Sequence, residues 1–596
     1  PQIKSLHSDR NQNGVKTDLS YLCYRNLTTD RIIIEQCKHS YCMGSANSSR
    51  RETMDEREDS DSRDRDQDSD TSEPDPDIAT ILQYLIRSGQ VRIITSEGNR
   101  FGRDDSDEDF CSLRSNPQID PNPDTSAIDK SELKTSTLQS TGRNHCLSCR
   151  RPNKLIQMIA KREIGMFGSN NFTRGDCSTV SSSFLPNKLQ IVSKYKQKAF
   201  CGTYSRDGNI FLTACQDRNI RIYSTKDGDF KLFKTIPARD VGWSILDTAF
   251  SPSGNHLIYS SWSECIHLCN IYGNHEVHEA LPLCPDDRRF SIFSVMFSQD
   301  GSEILGGAND GCLYVYDTER KLRTLRIESH EDDVNSVAFA DNTSQILFSG
   351  GDDGLCKVWD RRMMSESDPK PVGILAGHRD GITFVDSKND GRHLITNCKD
   401  QTIKLWDMRV FSPTDGQEST RRSVTSQHWD YRWQSVPKKL FQNKKKLAGD
   451  TSLMTYCGHS VLQTLIRCHF SPEFTTGQRY IYTGCANGKI IIYDLLTGKI
   501  ECVLSGHRGC VRDVSWHPYK HEIISTSWDG QVGQWVYSED QVMDSEDEDE
   551  QSRRAEALGL RRSKRIAEKR QKLMRRNSAG GNGTCLLVTP DENSCE

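Results

Sequence analysis

No run of about eighteen apolar residues occurs anywhere in the 596-residue chain, so no segment reads as a membrane-spanning helix. A basic-then-apolar leader is missing too, so no signal peptide is expected. Apolar residues are few, 34% against 27% charged, a balance that predicts long unfolded segments around one large domain. Charge of one sign is also absent in bulk, and a net charge of −5 does not mark the whole chain as a nucleic-acid binder. Cysteine is plentiful at 22, but the cysteines are scattered, with Cys201, Cys215 and Cys356 on apolar strand patterns. Thiols so placed behave as small buried hydrophobes in a reducing compartment. The expectation is a soluble, intracellular protein.

Signatures of catalysis are absent as well. No nucleophile elbow, H-E-x-x-H helix or paired metal-ligand cluster occurs, and Gly484 to Lys489 falls one residue short of a P-loop and continues into Ile490. His145-Cys146-Leu147-Ser148-Cys149 could seed a zinc site, but a structural zinc needs a second ligand pair, and none sits nearby. No enzyme, metal or cofactor is expected.

What the chain has is repetition. SHEDDVNSVAF followed by QILFSGGDDGLCKVWDRR is echoed by GHRDGITFVDS followed by HLITNCKDQTIKLWDMR, with 47 residues from Trp359 to Trp406. That period is slightly above the ~40–45 residues of a WD40 blade. Seven units end in comparable strands, at Tyr223, Cys269, Tyr316, Trp359, Trp406, Tyr493 and Trp535. The step from Trp406 to Tyr493 is 87 residues, and the others lie between 42 and 47. Residues 411–450 within the long step show no blade pattern and read as an inserted loop. Little strand pattern follows Tyr537, so Lys188 to Tyr195 is expected to supply the outer strand of the last blade; an unclosed ring would expose strand edges. The fold class is all-β: a seven-bladed WD40 propeller over 184–540, flanked by long disordered tails and one short amphipathic helix.

Three units carry a polar foursome at matching positions: His330, Ser349, Asp353 and Trp359; His378, Thr396, Asp400 and Trp406; His507, Ser525, Asp529 and Trp535. A buried imidazole needs partners for both ring nitrogens and an indole N–H needs an acceptor. Recurrence in three blades points to scaffolding, because an active site occurs once. The first three units lack the opening Gly-His. The sixth has Gly458-His459, with Asn487 for Asp and Tyr493 for Trp.

The flanks divide by composition. Residues 1–76 read as disordered, with 1–42 a candidate upstream extension. Met43 to Ser48 spells a myristoylation pattern, but it is short and lacks a second membrane signal. Over 77–96, Ile78, Ile81, Leu82, Leu85 and Ile86 share one helical face. This helix either docks on the chain's own propeller or lies in a partner's groove. Residues 97–183 read as a polar linker. Residues 541–596 form an acidic, then basic tail, whose paired Arg and Lys over 553–576 suit a nuclear-localisation signal or a solvated charged segment.

Just beyond Trp359 and Trp406 come Asp360-Arg361-Arg362 and Asp407-Met408-Arg409, so both units end in W-D-x-R. Arg362 and Arg409 then sit on the rim of adjacent blades, where a guanidinium can meet a carboxylate or carbonyl of a partner. These paired boxes, with QKAFCGTYSRDG, ARDVGWSILD, GGANDGCLYV, ESHEDDVNSVAFAD and DQTIKLWD, resemble the WD-repeat substrate receptors of cullin-4 RING ubiquitin ligases. The likeness covers most of 184–537 and the helix at 78–86. It implies a non-catalytic substrate-recognition subunit that presents proteins for ubiquitination and proteasomal degradation, in nucleus and cytoplasm. It further implies that Asp360, Arg362, Asp407 and Arg409 face the damage-specific DNA-binding adaptor protein, which bridges to cullin 4, and that Ile81, Leu82 and Leu85 insert into it. Protein substrates are expected, and neither membrane nor direct nucleic-acid contact. Trp429-Asp430-Tyr431-Arg432 also spells the box but lacks a preceding strand, and is discounted. The alternative is a general WD40 scaffold, associated with chromatin or RNA through the basic tail.

Overall fold

A computed structural model describes residues 33–36, 91–94, 119–142, 154–165 and 172–539, except 274, 276, 286–288, 443 and 444. The chain divides into two units, residues 1–106 and 107–596. In the first, strands Ile33–Gln36 and Val91–Ile94 pair antiparallel, with Ile33 opposite Ile94. The proposed helix at Ile78 to Ile86, including Ile81, Leu82 and Leu85, lies outside the described residues. So do the Met43 motif, His145 to Cys149 and the basic run 553–576.

The second unit is a seven-bladed β-propeller, each blade a four-stranded antiparallel sheet. Blades 1 to 6 span residues 199–237, 247–282, 292–328, 334–375, 382–457 and 468–505. Blade 7 takes three strands from 511–536 and its fourth, Lys188–Lys194, from the start of the domain, with Lys188 opposite Val536 and Ile191 opposite Gly533. Pairing the two ends of the domain in one sheet closes the ring and removes a free edge.

Local sequence accounts for the blades. Middle strands such as Ile210–Cys215 and Tyr480–Gly484 are buried along their length, because neighbouring blades cover both faces. Outer strands such as Lys231–Pro237 are largely exposed and carry the charge. The turn between second and third strands needs a left-handed residue. Gly311, Gly354, Gly488 and Gly530 provide it at φ 73–76°, and Arg218 and Gln401 adopt φ 63° and 70° at the matching positions of blades 1 and 5. A β-bulge recurs in the inner strand of blades 1, 3, 4, 5 and 7.

In the first unit the strand pair at 33–36 and 91–94 departs from the disorder expected over 1–76 and from the helix expected over 77–96, and two segments of the second unit differ from expectation as well. The polar linker 97–183 contains helices Ser126–Asp129, Glu132–Ser140, Lys154–Glu163 and Arg174–Ser181. In Ser126–Asp129 and Glu132–Ser140 apolar residues are too few for a helical stripe, but Ile128 and Leu133 are fully buried against Met454, Tyr456 and Leu496 of blades 5 and 6. Lys154–Glu163 does carry apolar residues at helical spacing, Leu155, Ile156, Met158 and Ile159. Thr173 and Asp176 form a reciprocal capping box on the last of the four. The insertion 411–450 likewise holds helices Thr414–Thr425 and Lys438–Gln442. Tertiary packing, more than helical propensity, supports the helices that bury Ile128, Leu133, Thr420 and Leu440.

Candidate docking face

The three foursomes each come together inside a blade. His330 pairs through Nδ1 with Asp353 at 2.9 Å and through Nε2 with Ser349 Oγ at 2.8 Å, and Trp359 Nε1 donates to the same Oγ at 2.9 Å. His378, Asp400, Thr396 and Trp406 repeat this at 3.1, 2.6 and 2.8 Å. His507, Asp529, Ser525 and Trp535 do so at 3.1, 2.7 and 2.8 Å. Although burial opposes it, the adjacent imidazoles hold the Asp353 and Asp400 carboxyls below the usual range, and Asp529 falls to about 2. His378, Cys398 and Asp400 lie close enough to hold a cation. Both His378 nitrogens are engaged, however, and burial pushes the Cys398 thiol well up, keeping it protonated.

Blades without the foursome substitute other networks. In blade 1, Tyr195 takes the histidine's place and meets Thr213 Oγ1 and Tyr223 OH, each at 2.8 Å. Blade 2 reverses the roles: Asp240 stands where the histidine would, and His267, from the third strand, reaches it at 3.1 Å. In blade 6, His459 contacts Tyr493 OH at 3.0 Å and Asn397 of blade 5 at 2.9 Å.

The W-D-x-R residues lie just outside these networks. First and third strands of a blade run the same way, so the turns that follow them share one face of the disc, and both boxes lie on it. The boxes differ in detail. Arg362 is clamped on Asp360, Nε to Oδ1 at 2.9 Å and Nη2 to Oδ2 at 2.6 Å. That bond to Arg362 lowers the Asp360 pKa and raises its partner's. Arg409 donates its backbone N–H to Asp407 Oδ1 at 3.0 Å, but its guanidinium stays 3.5 Å away and 54% exposed. Asp407 Oδ2 is taken by Arg392, at 2.9 Å to Nε and 2.8 Å to Nη2. In blade 4 the intervening Arg361 bonds Glu303 of blade 3 at 2.9 and 2.5 Å.

The linker helix Glu132–Ser140 lies on the same face. Glu132 pairs with Arg392 and stands 3.6 Å from Arg409, and Ser140 Oγ donates to Gly477 O at 3.0 Å. Arg392 and Glu132 were missed from sequence. A signal for Arg392 existed, since Arg479 precedes Asp494 at the same spacing in blade 6 and bonds it at 2.6 Å. Nothing local marked Glu132, 260 residues away from its partner.

The insertion 411–450 leaves the docking face and reaches the opposite one. Ser412 donates its backbone N–H to Ile374 O in the outer strand of blade 4, Arg421 reaches Glu331 at 2.8 Å, and Trp429 Nε1 donates to Asp380 at 2.8 Å. Lys399, held by Asp352 at 2.7 Å, lies 4.3 Å from the Tyr431 ring centre. Burial pushes Asp380 up to about 6. The third W-D-x-R phrase thus sits away from the other two, with Arg432 turned onto Asp430 at 2.9 Å.

Residues 320–360, 369–407 and 498–535 match the WD domain, G-beta repeat family. The chain is 42% identical over 399 residues to a DDB1- and CUL4-associated factor 11 homolog of Caenorhabditis elegans, covering 65% of this chain and 69% of that protein. The Caenorhabditis briggsae counterpart is also 42% identical, over 64% of this chain and 71% of its own length. A LEC14B homolog of Prunus armeniaca is 38% identical, covering 74% of this chain and 96% of that protein. With this likeness running through a closed seven-bladed ring, the chain belongs to the family of DDB1- and CUL4-associated factor 11 homologues.

Proposed function

We propose that this chain is a non-catalytic substrate receptor of a CUL4 ubiquitin ligase, docking on DDB1 through Arg362 and Arg409 with Asp360 and Asp407. The observation that carries the reading is positional: two W-D-x-R boxes at the same place on adjacent blades, both arginines exposed on one face. The names of the relatives supply the partners. A buried network behind each box fixes its strand, so each guanidinium starts from a set backbone position and little ordering entropy is lost on docking. Ile81, Leu82 and Leu85, which the sequence spacing sets on one helical face, offer DDB1 a second, apolar contact. Substrates are received on the opposite face, where the insertion 411–450 presents Trp433 to solvent, and pass to the ligase for ubiquitination and degradation. The basic run 553–576 sends part of the pool to the nucleus and leaves the rest in the cytoplasm.

The test is affinity purification of the full chain from cells. Arg362→Ala with Arg409→Ala is expected to lose DDB1 and CUL4 while yield and melting temperature stay at wild-type values. Unchanged recovery of both partners by that variant would defeat the docking claim.

A further inference from the structure

Four consecutive blades present apolar side chains on the docking face. In blades 4 and 5 each box arginine is followed by an exposed aliphatic residue, Met363 and Val410. In blades 6 and 7 the turns after the inner strands carry Phe474 and Tyr519, 59% and 52% exposed, with ring centres 5.3 Å apart and planes at 73°. The corresponding rim of blades 1 and 3 is charged, with exposed Lys226, Asp227 and Asp229, and Glu319, Arg320 and Lys321. A second exposed ring pair, Tyr272 of blade 2 with Phe233 of blade 1 at 5.6 Å, stands apart from the boxes across the charged rim of blade 3.

The aromatic pair is built into the scaffold. Phe474 sits in a single helical turn, Glu473–Thr476, closed by left-handed Gly477, whose N–H donates to Glu473 O at 2.9 Å and whose carbonyl accepts from Ser140. Tyr519 stands on a turn whose N–H groups, its own and that of Lys520, donate to His517 Nδ1 at 3.0 and 2.9 Å. Two aromatic rings exposed to water on hydrogen-bonded turns resemble an interface hot spot, because the backbone that carries them is already ordered and an aromatic ring has few torsions to fix when a partner covers it. The helix Glu132–Ser140 connects them to the boxes: one end is paired with Arg392 and the other bonds Gly477, about 13 Å apart at 1.5 Å per residue.

We infer that Phe474 and Tyr519 form an apolar anchor for the same DDB1 molecule that takes Arg362 and Arg409, so that docking spans blades 4 to 7. This rests on the docking reading above. Continuity of the face argues for one partner: exposed Met363 and Val410 carry apolar surface from beside the two arginines towards blades 6 and 7, and stable interfaces set charge around an apolar centre.

The experiment compares full-length chains for binding to purified DDB1. Phe474→Ser with Tyr519→Ser is expected to weaken binding tenfold or more, as is Arg362→Ala with Arg409→Ala, without change in melting temperature. Wild-type affinity in the aromatic variant, with binding lost in the arginine variant, overturns the anchor and leaves the docking reading standing. Wild-type affinity in both overturns both. A photo-crosslinking phenylalanine at position 474, in an otherwise native chain, guards against a folding defect. It is expected to capture DDB1, while the same probe at Tyr272 of blade 2 is not. Capture of a second copy, or of another segment of the same chain, in place of DDB1 overturns the anchor.

Discussion

The Glu132 carboxylate stands 3.6 Å from the Arg409 guanidinium, although 277 residues separate them in sequence, and pairs more closely with Arg392 beside it. Glu132 is 78% exposed, so its charge is screened and such a pair contributes no more than ~1 kcal/mol. Its neighbour Leu133 is fully buried against blades 5 and 6, and truncating a buried leucine costs about 2–5 kcal/mol. Leu133→Ala is therefore expected to release the helix, seen as fast amide exchange over 126–140, and Glu132→Ala to leave exchange there nearly unchanged. Equal effects of the two substitutions would show that charge holds the segment as much as burial does.

Thr396 Oγ1 serves both His378 Nε2 and Trp406 Nε1. Thr396→Val keeps the shape but strands two buried groups, at about 1–3 kcal/mol each. The expected loss in denaturant unfolding is about 2–6 kcal/mol, with DDB1 binding intact below the transition. A neutral outcome would mean that the two rings find other partners.

His459 is wholly buried, and burial pushes its pKa from the usual 6.5 down to about 4. The folded protein keeps the ring neutral where the unfolded chain already binds a proton. Its contribution is therefore complete above pH 6.5 and declines as pH falls from 6.5 towards 4, by at most about 3 kcal/mol. Thermal melts across that window should fall more steeply for the wild type than for His459→Gln. Parallel curves would assign the acid sensitivity to other groups.

Deleting residues 184–196 removes the strand paired with Gln531–Val536. The blade 7 edge would then lie open, and the expected product is insoluble or cleaved rapidly by protease. A well-folded, protease-resistant deletion product would contradict closure by this strand.

The blades were legible because a propeller repeats a local pattern: strand, left-handed turn, strand, with His, Ser or Thr, Asp and Trp at fixed offsets. Trp359, Trp406 and Trp535 announced three blades outright. The variant blades were legible as strands but not as networks, because Tyr195 and Asp240 took over the histidine's position with different chemistry. The insertion was visible as an interruption, but its destination was not, since Trp429 and Asp380 meet only when the chain crosses to the other face.

The sequence by itself determined the seven-fold repeat, the closure by Lys188 to Tyr195 and the place of Arg362 and Arg409, each set within a blade or by pairing of its strands. Only the tertiary structure decided that Arg392 holds Asp407, that Glu132 stands beside Arg409 and that Phe474 meets Tyr519. These join segments far apart in the chain or on separate blades, where no periodicity links one residue to the other and burial of Ile128 and Leu133 brings the helix to its place.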